Sequence, residues 1–184
     1  DLHSFPTRRS SDLEMVAIEP VQDLHGQANP YPAGGGKNKL PLTVAKLKED
    51  NTSGTWDGNE YTINGTKFKA LTDESGDIIG LSVTHGSSTD TIIISFTLPA
   101  GSYILSSGTD EVIYQDDTYL TKNNQSIARG NSTAPGQSFT LSEDSTVVWN
   151  IRVTNKNTTY YPMIRLSTES DATFAPYSNP CPTS

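Results

Sequence analysis

The sequence predicts an all-β domain, an antiparallel β-sandwich of jelly-roll-like form. Three observations predict it. Short runs alternate apolar with polar residues, turn dipeptides punctuate them at close intervals, and no long amphipathic helical pattern intervenes. Composition agrees. Apolar residues make up only 33% of the 184 and charged residues 18%, so Ser, Thr, Asn and Gly fill the difference. Ser and Thr tolerate strands, whereas Asn and Gly make turns.

Taken in order, residues 14–19 suit a short strand or the end of a preceding domain. Residues 20–38 hold prolines and the run Gly34 to Gly36, which suits a connector. Lys37 is followed by Asn38 and not by Ser or Thr, so the glycines do not complete a phosphate-binding loop. Residues 39–58 are ambiguous between a short helical turn and a strand, with Asp57-Gly58 as a turn signal. Beyond them the pattern sharpens. Residues 60–63 and 66–71 flank Asn64-Gly65, a strong hairpin signal. A turn over 73–77 leads to a strand over 78–85. After another turn comes 91–98, with Ile92, Ile94, Phe96 and Leu98 on one face.

Residues 102–108, 111–115, 118–122 and 125–130 suit further strands, and 138–142 another. In 146–153, Val147, Trp149, Ile151 and Val153 share the inner face. The last strand, 159–168, places Tyr160, Pro162, Ile164 and Leu166 together. Proline cannot donate to a ladder, so an edge or a bulge is expected at Pro162. The domain is expected to span 39–178. Residues 14–38 then form a strand remnant and linker, and 179–184 a linker cut short.

Residues 1–13 stand apart, because they resemble one reading frame of a common sequencing adapter. They are expected to lie outside the fold, with the natural sequence starting near Glu14. Cys181 is the single cysteine, so no internal disulfide and no Cys/His metal spacing is available. No apolar run reaches membrane-spanning length, which argues against membrane insertion. The net charge of −8, with no cluster of Lys and Arg, argues against nucleic acid as a partner.

Several segments together resemble a module common in phage and prophage tail or minor structural proteins of gut Gram-positive bacteria. They are Ile18 to Gly26, Asn29 to Asn38, Leu98 to Leu105, Phe139 to Val147, and above all Tyr160 to Tyr177 (YYPMIRLSTESDATFAPY). The resemblance covers nearly everything from Ile18 onward. It is weaker over 39–60 and in the strand after Asn64-Gly65. It implies a sandwich similar to carbohydrate-binding modules, carried on the virion near the host-facing end of the tail. It supplies no binding residues.

Residue chemistry points to binding and not to catalysis. His25 and His85 sit in no nucleophile motif. Asp110, Glu111, Asp116 and Asp117 suit solvated loops. They also suit a structural Ca²⁺, which needs a shell of oxygens; no other cofactor is expected. Sugar rings stack on exposed aromatics, and Trp56, Tyr114 and Tyr119 are the expected ligand-binding residues, with Tyr61 and Tyr161 as further candidates. Trp149 is expected in the core. The sequons at Asn51, Asn64, Asn124, Asn131 and Asn157 carry no glycan meaning in a bacterial virus. Three functions fit: a tail module binding host-surface glycan, a structural spacer or homo-oligomerisation element contacting other tail proteins, and an ancillary module of a secreted glycosidase or adhesin.

Overall fold

The computed structural model describes residues 36–108, 118–130, 136–153 and 157–178. The expectations for 1–13, for 14–35 and for the strand at 111–115 lie outside them. Among the described residues the fold is mostly β, with three antiparallel sheets and one short helix, and no sheet closes into a barrel.

The ambiguous stretch 39–58 resolves into both of its alternatives in turn. Helix α1 spans Val44–Asp50. Thr43 caps it, its hydroxyl accepting from the Lys46 amide at 3.1 Å, which satisfies one of the free donors of the first turn. Strand β1 (Thr55–Asp57) then pairs with β2 (Glu60–Ile63), and Gly58 (φ 55°) makes the tight turn between them. The hairpin at Asn64-Gly65 forms as expected, with φ of 47° and 84° matching the primed turn that suits strand twist. It leads into β3 (Thr66–Thr72) and, after the 73–77 turn, β4 (Ile78–Thr84). In that turn the Asp73 carboxylate accepts from the amides of Ser75 and Asp77.

Strand β5 (Asp90–Leu98) pairs along its full length with β10 (Ser145–Val153). The inner faces read from the alternation hold: Ile92, Ile94, Val147, Trp149, Ile151 and Val153 are all fully buried, and Phe96 is half-buried. Between these strands in sequence lie β6 (Gly101–Ser106), β7 (Thr118–Lys122), β8 (Gln125–Gly130) and β9 (Gln137–Leu141). Asn123 and Asn124, both at positive φ (52° and 60°), turn β7 into β8.

The expected last strand is in fact two. β11 (Thr158–Tyr160) pairs with β4, whereas β12 (Met163–Leu166) pairs with β6. Pro162 lies between them, because a residue without an amide proton cannot continue the ladder. The chain therefore changes sheets at Tyr161-Pro162, and the expected alternation fails. Met163, Ile164 and Arg165 are all buried while Leu166 is 42% exposed. The sheets run β1-β2-β3-β4-β11, β5-β10-β7-β8 and β12-β6-β9. One apolar core draws on all three, and on Leu40, Leu42 and Leu47 from the segment around α1.

Two sheet edges are closed by side-chain amides. β5 is an edge strand, and Asn51, at the C-terminus of α1, pairs with it as a strand would. Its Oδ1 accepts from the Ile93 amide at 2.9 Å and its Nδ2 donates to the Ile93 carbonyl at 2.8 Å. The Asp50 carboxylate accepts from Ser95 N at 2.8 Å on the same edge. Such an edge has few free groups left to recruit another strand.

Asn38 does the same at β12 and is fully buried. Its Oδ1 accepts from the amides of Leu40 and Ile164 (3.0 and 3.1 Å), and its Nδ2 donates to the carbonyls of Pro162 and Ala175 (3.2 and 3.1 Å). Lys39 N adds a bond to the Ile164 carbonyl at 2.6 Å. Next to it, Lys37 Nζ meets Asp171 at 2.7 Å and the Thr173 carbonyl at 2.5 Å. Residues 36–39, assigned from sequence largely to a linker, thus pack into the body.

Asp90 is the buried carboxylate of the β5 start, 4% exposed. Burial pushes its pKa up, but hydrogen bonds from Thr66 Oγ1, Asn64 Nδ2 and Ser88 Oγ, with His85 nearby, outweigh this and hold it below its ordinary value.

Two measurements check these roles. Asn38→Ala would leave buried amides and carbonyls without partners, and is expected to cost about 3 kcal/mol in urea unfolding. Asp90 has a folded-state pKa below its unfolded value, so its stabilisation is present above the unfolded value and fades as pH falls through the folded one. The stability gap between the wild type and Asp90→Asn should therefore hold steady above roughly pH 5 and narrow as the pH falls through the ordinary carboxyl value of 3.8 and below it.

Candidate binding face

The four-stranded sheet β5-β10-β7-β8 has an inner side made by Ile92, Ile94, Trp149, Ile151, Leu120 and Ala128. Residues one step along each strand point the other way. Directly paired residues share a face, so register alone sets the outward rows. One row runs Ile93–Asn150–Tyr119–Arg129 across all four strands. The next runs Ser95–Val148–Thr121–Ser126. Thr91 and Arg152 form a third, shorter row. A bulge after Leu120 adds Ile127 to β8 and brings Thr121 opposite Ser126.

These outward residues are exposed or half-buried, and hydroxyl and amide groups predominate. Tyr119 is half-buried, and the Arg129 guanidinium lies over its ring at 5.0 Å, a cation–π pair that orders the arginine. The face thus offers an aromatic ring, a guanidinium and the Asn150 amide in one line. Such a set suits a ligand with apolar ring faces and many hydroxyls.

The other sequence-predicted residues lie elsewhere. Trp56 belongs to strand β1, not to a loop, and so to a different sheet from Tyr119. It is half-buried, its ring tilted against Tyr61 at 5.1 Å with the Lys48 ammonium 5.7 Å from its centroid. Its Nε1 donates to the Asn51 carbonyl at 2.9 Å. Trp56 therefore ties α1 to β1. Tyr61 is 2% exposed and stands in the core. Tyr161 is half-buried at the sheet switch, edge-on to Phe174 at 5.6 Å and close over Gly80. Tyr114 and the acids Asp110, Glu111, Asp116 and Asp117 lie outside the described residues, as does His25.

Among the described residues no group of His, Cys, Asp and Glu gathers as a metal-ligand set. No helix among them is long and apolar enough to cross a membrane. Ser88 Oγ donates to Asp90, which ties the loop before β5, and among the described residues His85 Nε2 has no hydrogen-bond partner. An open depression of about 260 Å³ lies among Gly36, Lys37, Lys39, Leu166 and Glu169. Its ammonium groups already have partners: Lys37 on Asp171, Lys39 on the Gly36 carbonyl at 2.7 Å.

Asn150 and Arg129 were not among the expected residues. For Asn150 the signal is the outward phase of the alternation that identifies Trp149 and Ile151 as core; Arg129 stands on β8 and joins it only through register. Comparison with known proteins adds no constraint, since no family model, no curated protein and no solved structure matches the chain.

Truncating Trp56 separates its structural role from a ligand role. Trp56→Ala is expected to lower stability by about 2 kcal/mol, less than a fully buried tryptophan would. Denaturant unfolding monitored by circular dichroism measures it.

Proposed function

We propose that this chain is a non-catalytic accessory module of a phage tail or minor structural protein, folded as a jelly-roll-like β-sandwich, and that it contacts glycan on the host surface. The observation that carries this is the row Asn150–Tyr119–Arg129 on the outward side of the four-stranded sheet. The row places an aromatic ring between an amide and a guanidinium, on strands whose other face puts Trp149, Ile151, Leu120 and Ala128 into the core. Side chains locked by sheet register lose little freedom on binding, which helps a weak, shallow site. The resemblance of Tyr160 to Tyr177 and of Asn29 to Asn38 to tail-protein modules supports the setting. Several copies on one particle would raise a weak single-site affinity through avidity.

A glycan array probed with the whole chain, displayed multivalently, tests the proposal. Binding is expected. Tyr119→Ala should reduce it about tenfold, on the scale of a lost aromatic contact, while Trp56→Ala should leave it in place at temperatures where that variant is folded. A folded, multivalent sample that binds no glycan would remove this reading.

A further inference from the structure

The charge of this face departs from that of the chain. The four strands of the sheet carry a single carboxylate, Asp90, which is buried and sits opposite Val153 on the inner side. Their basic residues are Lys122, Arg129 and Arg152. Lys122 is paired with Glu143 at 3.3 Å. Arg129 and Arg152 are exposed, lie on the outward side and form no ion pair among the described residues. A chain of net charge −8 thus presents two guanidinium groups on a face whose strands hold no outward acid.

Sheet geometry sets how far apart they are. Arg152 stands two residues beyond Asn150 on β10, and Arg129 stands two strands away from it on β8. With ~3.4 Å per residue and ~4.8 Å between strands, their Cα atoms are ~12 Å apart. That is too far for both to hold one anionic group, and suits two groups on one extended ligand. The surface between them carries Asn150 and Tyr119, which match hydroxyls and ring faces and not a dense run of charge. Nucleic acid needs a closer track of cations than this.

We propose that the ligand of this face is a carboxylate-bearing polysaccharide, a polymer of uronate or sialate type, with Arg129 and Arg152 each holding one carboxylate. The inference rests on the glycan-binding reading above and specifies its chemistry. A guanidinium presents paired donors that match a carboxylate. Arg129 is in addition ordered beforehand by the Tyr119 ring.

The test is affinity electrophoresis of the whole chain in gels containing polygalacturonate, polysialic acid, carboxyl-reduced polygalacturonate or poly(glycerol phosphate). Retardation is expected with at least one of the two carboxylate polymers, weakening as salt rises, and not with the reduced polymer. Arg129→Gln and Arg152→Gln should each weaken binding about tenfold, the scale of one charge-assisted hydrogen bond. Both residues are exposed, so thermal melts matching the wild type should accompany that loss. Equal retardation by the reduced polymer, retardation by poly(glycerol phosphate) alone, or an unaffected double variant would overturn the carboxylate assignment. Binding to neutral glycans only would overturn it too, while leaving the glycan reading standing; binding to no glycan of any kind removes both.

Discussion

The amide of Asn38 is the point on which the two ends of the domain and one of its sheets depend. Strand β12 sits at the edge of its sheet, directly after a proline that has broken the preceding strand. Left alone, a four-residue edge strand with buried backbone on its outer side would carry unsatisfied polar groups. Asn38 and Lys39 supply the missing partners, and the same amide reaches Ala175 in the closing segment. One side chain therefore joins three stretches remote in sequence, with all four of its hydrogen bonds inside the protein. This is a use of asparagine that hydrophobic burial cannot replace, since the constraint is directional.

Asn51 repeats the solution on the opposite edge strand of another sheet, and Asp90 gathers the polar groups of two loops in a similar way. The low apolar content of the chain becomes intelligible in this light. Part of what a larger domain would do with additional strands is done here by short polar side chains pairing with backbone. At the centre of the core Trp149, Ile151, Ile92 and Ile94 lie without exposure.

Much of the strand pattern was legible in the sequence because a strand buried on one side repeats every second residue. β5 and β10 show this clearly, and Asn64-Gly65 marked its hairpin through backbone preference alone. The stretch 39–58 was not legible, since α1 is only seven residues long and its apolar positions serve either period. The sheet switch at Pro162 was half legible. The proline signalled an interruption, but which sheet accepts each half depends on pairing with β4 and β6, far away in sequence. The candidate face was legible in Tyr119 alone. The placing of Trp56 against Tyr61, Lys48 and Asn51 was not legible, since these contacts are made through α1 and the β1-β2 hairpin. Asn150 and Arg129 gain meaning only through register, which places them on either side of Tyr119 and which no local pattern encodes.

The contact between Gly36 and the closing segment has a mechanical consequence. A Cβ at residue 36 would lie 2.6 Å from Ser178 Oγ, so these two stretches of chain, remote in sequence, run side by side. Tension applied between residues 36 and 178 would fall first on Lys37, Asn38 and their partners, among them Ile164 of the edge strand β12, and only then on the rest of that sheet.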